Sequence, residues 1–469
     1  MGKLGRMLVA EGKITENQVT QALERQKHHG GRLGENLIAL GFITEKDVES
    51  VFSTTPSPPK TVEETGLDLE FIAELALKHS LFIGEFKMAE LAERIKLPLA
   101  VISDALDLLR RDRYLEVKGG SGYAATTYTF KTTEAGKNYG TELLHLCHYV
   151  GPAPVTLDDY QAMVQRQTVK SILIPEEDVE KGFSHLIVRK NVLELIGPAI
   201  SSGKAIFVYG PPGNGKTAIA ETVGRLLPDT VYIPYALTVG GQIISIFDPV
   251  SHTPAGPEHP ATPYDQRWSL IKRPVVMTGG ELAMKRLDLE FNPVAKYYEA
   301  SLQMKANNGL FIVDDFGRQQ IEPRHLLNRW IVPLDKGIDF MTLHTGMKFS
   351  IPFDMVVIFA TNLDPAKLVD EAFLRRIQYK IRINRPNEDE FRSIFNLECA
   401  SNGITFIKDS LDYLIDNYYK KLGVDFNACH PRDLIDHIVV RARYYHRKPE
   451  LTKENLEAAW SCYYVQLNN

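Results

Sequence analysis

The segment AIFVYGPPGNGKT (205–217) constrains this chain more than any other. Five apolar residues run directly into a loop of alternating glycines, and a helical pattern, AIAETVGRLL, follows at once. A strand, a glycine loop and a helix in that order place several main-chain N–H groups around one point. The helix N-terminus adds its positive end. That geometry suits a polyphosphate. Gly210, Pro211, Pro212, Gly213, Asn214, Gly215, Lys216 and Thr217 form the loop. Its chemistry assigns Lys216 to the β- and γ-phosphates of a nucleotide and the Thr217 hydroxyl to Mg²⁺.

Such a loop needs a second acidic strand, and LFIVDD (310–315) supplies one. Asp314 at the end of an apolar strand is placed to complete the Mg²⁺ shell. Asp315 follows, where a carboxylate can orient and deprotonate an attacking water. The usual residue there is Glu. Asp is one methylene shorter, so slow or partner-dependent hydrolysis is one expectation, and ATP binding without turnover is another.

The surrounding chain alternates strand-like apolar runs with helical stretches from 181 to 386: AIFVY (205–209), TVYIP (230–234), LFIV (310–313), MVVIFA (355–360) and YKIRI (379–383). Runs that are apolar at consecutive positions are buried on both faces, which predicts a parallel α/β sheet. Residues 387–469 read as wholly helical.

With these pieces in order, residues 181–469 resemble the AAA+ superfamily of P-loop ATPases. The resemblance implies further roles. VVIFATN (356–362) is similar to the sensor-1 strand, which would aim Asn362 at the γ-phosphate or the water. PAKLVDEAFLRRI (365–377) resembles the segment carrying an arginine finger, so Arg375 or Arg376 would enter a neighbouring subunit's site. Such an arginine is worth roughly 10³–10⁵ in rate. HPRDLIDHI (430–438) resembles the sensor-2 helix of a lid, with Arg432 facing the phosphates. FSHLIV (183–188) falls where the family contacts adenine. IDFMTLHTGMKFSIPFD (338–354) reads as two strands about His344-Thr345-Gly346, ahead of sensor 1. MoxR-like members place a hairpin there. They are chaperone-like remodellers that form rings, usually hexamers, which implies a homo-oligomer acting on a protein substrate.

Aromatics Phe291, Tyr297 and Tyr298 precede the acidic strand; they serve either as pore-loop grips or as core. His252 and His259 lie in a Pro-rich loop (247–268) with no cysteine or carboxylate set nearby, so loop histidines are expected rather than a metal site.

Three segments precede the ATPase-like part. LGRMLVAEGKITENQV (4–19) returns as LGENLIALGFITEKDV (33–48), offset by 29. Each copy predicts two short helices, with Thr15 and Gln18 in a capping-box pattern. Residues 1–53 thus form a small helical repeat domain. It resembles the MshEN-like domain in front of type II secretion and pilus ATPases, which implies cyclic di-GMP as ligand and a pilus or secretion component as partner. The first copy has Lys3 where the pattern has Arg, and the second has Thr55 where it has Gln. Arg engages guanine in a way Lys does not, so a protein-docking domain without the ligand remains an equal reading.

Residues 54–66 read as a Pro-rich linker, 67–150 as a winged helix, and 151–180 as a second linker. The winged helix would present LAVISDALDLLRRD (99–112), with Asp104 and Asp107 on its exposed side and Arg110, Arg111 and Arg113 only at its end. DNA readers carry basic or amide side chains early on that helix. Protein docking is therefore preferred, and a DNA-associated regulator is the alternative.

The bulk numbers fit this architecture. A chain of 469 residues needs about two to four domains. A net charge of −5 gives no global attraction to nucleic acid. Four scattered cysteines without CxxC spacing argue against disulfides or zinc. The apolar runs are strand-sized, the start is not a signal peptide, and Arg6 breaks the myristoylation pattern. No membrane insertion and a cytoplasmic location are expected.

Overall fold

The computed structural model describes residues 8–9, 13–44, 54–120, 128–256, 264–368 and 371–464. Its centre is a five-stranded parallel sheet in the order Val275–Thr278, Leu310–Val313, Val356–Thr361, Ile206–Tyr209, Tyr379–Arg382. Alternation along these strands sorts the core into two layers. Ile206, Val208, Ile312, Ile358 and Ile381 face one side and pack on Ile219 and Val223 of the helix Lys216–Leu226. Phe207, Phe311 and Phe359 face the other, against the fully buried Trp330. The Phe311 and Trp330 rings meet edge-to-face at 5.3 Å.

One expected strand lies elsewhere. Thr230–Pro234 pairs antiparallel with Trp268–Lys272 in a separate two-stranded ribbon. The edge of the parallel sheet is Val275–Thr278 instead. Its residues alternate between exposed and buried, as an edge strand allows, so it lacks the continuous apolar signature.

A second five-stranded sheet follows the order Glu290–Asn292, Tyr297–Glu299, Gln242–Ser245, Ala236–Val239, Val155–Thr156. Its last strand belongs to the segment read as a linker, and that reading is corrected. Val155 and Thr156 pair with Leu237 and Thr238. The helix Leu157–Arg166 buries Tyr160, Met163 and Val164. Thr168 Oγ1 and the Val169 N–H then donate to the Asp354 carboxylate at 2.7 and 3.0 Å. Prolines at 152, 154 and 175 flank these elements rather than loosen them.

Residues 54–66 are likewise docked rather than free. The Pro56 carbonyl accepts from the Asp265 N–H at 2.9 Å, and the Thr65 carbonyl accepts from Arg267 Nη1 at 2.8 Å. Arg267 and Asp265 form a buried ion pair at 2.8 Å.

Residues 67–150 give helices Leu69–Ile83, Met88–Ile95, Leu99–Arg111 and Glu134–Leu146. The two expected strands, Leu115–Gly120 and Tyr128–Thr132, are joined by a third, Glu85–Lys87. Asp104 and Asp107 are exposed on Leu99–Arg111, and Arg110 pairs with Asp107 at 3.1 Å. The core of this unit is continuous with Ala236 and Ile243 of the second sheet.

Near the start, helices Glu16–His29 and Leu33–Ala39 enclose a core of Leu8, Ile14, Val19, Ala22, Leu37 and Ile43. The Thr15–Gln18 capping box is present. Lys3 and the end of the second copy, residues 45–48, lie outside the described residues, as does His259 of the Pro-rich loop.

The C-terminal part is helical as expected: Glu388–Ser401, Lys408–Leu414 running into a π turn, Cys429–Tyr444 and Lys453–Tyr463. The hairpin Ile338–Thr342 with Lys348–Pro352 also falls where it was read.

Candidate active site

The site lies at the C-terminal ends of the parallel strands, where an open α/β sheet presents its loops. The strand Ile206–Tyr209 ends at Gly210, whose φ is 147°. A Cβ there would stand 2.0 Å from the Ile383 carbonyl oxygen, so the turn admits only glycine. Gly215, at φ 79°, caps the helix that opens at Lys216.

Lys216 is nearly buried, and its Nζ donates to the Pro211 carbonyl at 2.8 Å. Burial lowers its pKa, while the Asp315 and Asp314 carboxylates pull the other way. Thr217 Oγ1 donates to the Asp314 carboxylate, at 2.9 Å to Oδ2 and 3.1 Å to Oδ1. A hydroxyl and a carboxylate converging this way are the hard oxygen donors that Mg²⁺ takes alongside water and phosphate.

Asp315 turns out of its strand at φ 47°, and its N–H donates to Asp314 Oδ1 at 3.0 Å. Its own Oδ1 accepts from Asn362 Nδ2 at 2.8 Å. The structure therefore brings Lys216, Thr217, Asp314, Asp315 and Asn362 around one cavity of about 500 Å³. His185, Leu186, Ile187 and Val188 also line it. Arg432 lines the cavity too, with Nη2 3.2 Å from Asp433 Oδ1. That pairing raises the Arg432 pKa.

Arg375 and Arg376 are not in this cavity. They sit beside Ala205, Met355 and Gln378, which precede three of the strands, at the N-terminal end of the sheet. Arg376 pairs with Asp335 at 2.7 Å.

Sequence reasoning missed the side of the site that the helical unit builds. The Cys429 N–H donates to the Gly213 carbonyl at 2.8 Å, and the Ala428 N–H donates to Asn214 Oδ1 at 3.1 Å. Glu398 also lines the cavity, and burial raises its pKa. These contacts join residues more than two hundred positions apart, so no local pattern announces them.

Residues 387–462, the helical unit, match the domain of unknown function DUF8689. The chain is 26% identical over 262 residues to a Corynebacterium diphtheriae protein described as "AAA ATPase forming ring-shaped complexes". That similarity covers 51% of this chain and 43% of the relative, so the chain spans less than half of the relative's length. Among solved structures, NtrX from Brucella abortus in complex with ADP aligns with a TM-score of 0.37 at 11% identity, covering 69% of this chain and 65% of that one. A Thermotoga maritima RuvB variant aligns with a TM-score of 0.34 at 12% identity, covering 63% and 72%.

Tyr298 is buried, and its hydroxyl accepts from the His344 N–H at 2.7 Å. Phe291, half-buried, packs on Tyr298 at 5.0 Å, and Tyr297, also half-buried, on Tyr149 at 5.5 Å. His252 is fully buried, with Nδ1 accepting from the Asp248 N–H and Nε2 donating to the Lys305 carbonyl, both at 2.9 Å. Both ring nitrogens are used within the protein. Among the described residues no group of three or more His, Cys, Asp or Glu side chains is placed to hold a metal, and no helix is long and apolar enough to cross a membrane.

Proposed function

We propose that this chain is an AAA+-type ATPase that binds ATP with Mg²⁺, hydrolyses it to ADP and phosphate, and works in a ring of like subunits. The observation that carries the reading is the pairing of Thr217 with Asp314 beside the pairing of Asn362 with Asp315, all on one cavity. Each residue then has a task. The N–H groups of the 213–217 turn cradle the phosphates. Lys216 exchanges the Pro211 carbonyl for phosphate oxygen. Thr217 and Asp314 would hold Mg²⁺, which would supply charge neutralisation at the phosphates. Asp315 accepts the proton of the attacking water, and Asn362 holds that carboxylate in place. Arg432 leaves Asp433 for the phosphates when the helical unit closes. Arg375 or Arg376 enters the site of the next subunit, which accounts for their position at the N-terminal end of the sheet, away from their own cavity.

The finer assignments belong to the same proposal. Ring assembly, with a hexamer as the expected size, agrees with the description of the Corynebacterium relative. The hairpin ahead of the Asn362 strand supports a MoxR-like remodeller acting on a protein partner. The 67–150 unit is a winged helix used for protein docking, because its exposed helix face carries Asp104 and Asp107. The 1–53 repeat is an MshEN-like module tied to pilus or secretion machinery, with cyclic di-GMP binding and ligand-free protein docking as its two equal readings. Steady-state phosphate release and light scattering, with and without Mg²⁺-ATP, test the central claim. Turnover that Lys216→Ala abolishes, with nucleotide-dependent assembly, is the expected result. Folded protein that binds neither ATP nor ADP in calorimetry overturns it.

A further inference from the structure

Asn214 stands inside the glycine loop, and its side chain is engaged by protein groups at both ends. It is 5% exposed. Its Nδ2 lies within hydrogen-bond distance of the Pro211 and Pro212 carbonyls, at 3.2 and 3.0 Å, and of Asn427 Oδ1 at 3.2 Å. Its Oδ1 accepts from the Ala428 N–H at 3.1 Å. One amide thus uses both of its ends, and two of its four partners belong to the helical unit.

Asn427 is held from the other side. Its Oδ1 also accepts from Arg385 Nε at 3.3 Å, and its Nδ2 contacts His430 Nε2 at 3.2 Å. Arg385 in turn pairs with Asp425. Next to this set, the Cys429 N–H donates to the Gly213 carbonyl, and a Cβ at Gly213 would stand 2.6 Å from Cys429 Sγ. The contact is close, polar and half-buried, and it lies at the first turn of the helix Cys429–Tyr444. Arg432 is one turn further along that helix.

From this geometry we infer that Asn214 and Asn427 form a latch between the phosphate-binding loop and the helical unit, and that the latch sets the position of Arg432. The inference rests on the ATPase reading for its consequence, though not for its geometry. On the ATPase reading the main-chain N–H groups on either side of Asn214 bind the phosphates, so an occupied loop holds residue 214 in one place. The Asn214 side chain passes that constraint to Ala428 and Cys429 and hence to the helix that carries Arg432. Both residues are positioning residues. An amide is the side chain suited to residue 214, since it must donate to carbonyls at one end and accept from a backbone N–H at the other.

Alkylation of Cys429, resolved by peptide mass spectrometry on the full chain, reads the latch without nucleotide. The thiol is shielded by Gly213 when the unit is docked, so its modification rate follows the population that opens locally. Asn214→Ala and Asn427→Ala are each expected to raise that rate about five- to tenfold, the effect of losing one buried hydrogen-bonded partner. The double variant is expected to be no faster than the faster single one. Turnover supplies a second arm: Asn427→Ala is expected to lower kcat about tenfold with ADP affinity preserved, a split that general destabilisation does not produce. Unchanged Cys429 modification in Asn427→Ala overturns the latch, as does additivity in the double variant. Should Asn214→Ala fail to fold, Asn427→Ala decides alone. Absence of ATP turnover in the unsubstituted chain refutes the ATPase reading and leaves the alkylation result to judge the latch.

Discussion

Asn362 Nδ2 donates to Asp315 Oδ1 at 2.8 Å, linking the end of one central strand to the residue just past its neighbour. The strands Leu310–Val313 and Val356–Thr361 pair in parallel, so the contact is a direct result of their register. It aims a short carboxylate that would otherwise rotate freely. Asp315→Asn is expected to lower turnover about 10²–10⁴-fold, the usual worth of a positioned base, with ADP affinity retained. Asn362→Ala should cost less, and the double variant should be no slower than Asp315→Asn, because the two act as one unit. Steady-state kinetics with calorimetric ADP titration measure this. Equal losses in nucleotide binding would refute the assignment.

Arg375 is exposed and makes no ion pair among the described residues, whereas Arg376 is tied to Asp335. Arg375→Ala is therefore expected to abolish most turnover without weakening ADP binding. If the arginine works in the next subunit, mixing Arg375→Ala protein with Asp315→Asn protein restores part of the activity that each lacks alone. Failure to complement, in mixtures shown to co-assemble, would remove the trans role.

Acid should loosen the helical unit. Burial pushes the His430 pKa from 6.5 down to about 4, with the Asp433 carboxylate opposing and the Arg385 guanidinium assisting. The unfolded chain thus takes up a proton that the folded chain refuses across that window. Stability is highest above pH 6.5 and falls as pH drops toward about 4. His79 and His252, also lowered by burial, act in the same direction. Melting temperature followed from pH 7 to pH 4 is expected to drop, and His430→Gln should flatten part of that drop.

The Arg267–Asp265 pair holds the 54–66 segment. Arg267→Ala leaves Asp265 buried without its cation, which costs about 3–5 kcal/mol. It also frees the Thr65 and Pro154 carbonyls that Arg267 Nη1 serves. Trypsin cleavage after the exposed Lys60 is expected to accelerate in this variant. Pairing the change with Asp265→Asn should recover part of the lost stability. Unaltered cleavage would mean that other contacts hold the segment.

The parts of the site legible in the sequence are those whose chemistry needs neighbouring residues. The glycine loop with Lys216 and Thr217, the Asp314-Asp315 pair and Asn362 all sit at strand ends that a continuous apolar run announces. Val275–Thr278 was missed because an edge strand needs burial on one side only. Asn427 and Glu398 were missed because their partners are distant in sequence. The segment 151–180 misled for a different reason. Its prolines read as a loose connection, while Leu157, Tyr160, Met163 and Val164 carried a helical period that is buried in fact.

That segment also decides where this protein can be cut. Asn308 Nδ2 donates to the Val164 carbonyl at 2.9 Å and to Asp354 Oδ2 at 2.8 Å, and Asp354 receives Thr168 as well. Asn308 and Asp354 lie just upstream of the strands that carry Asp314 and Asn362. A fragment beginning at 181 would strip these polar groups of their partners inside a dry interior. Expression of the catalytic half on its own should therefore start no later than Val155, and exchanging front modules between relatives should splice ahead of that residue.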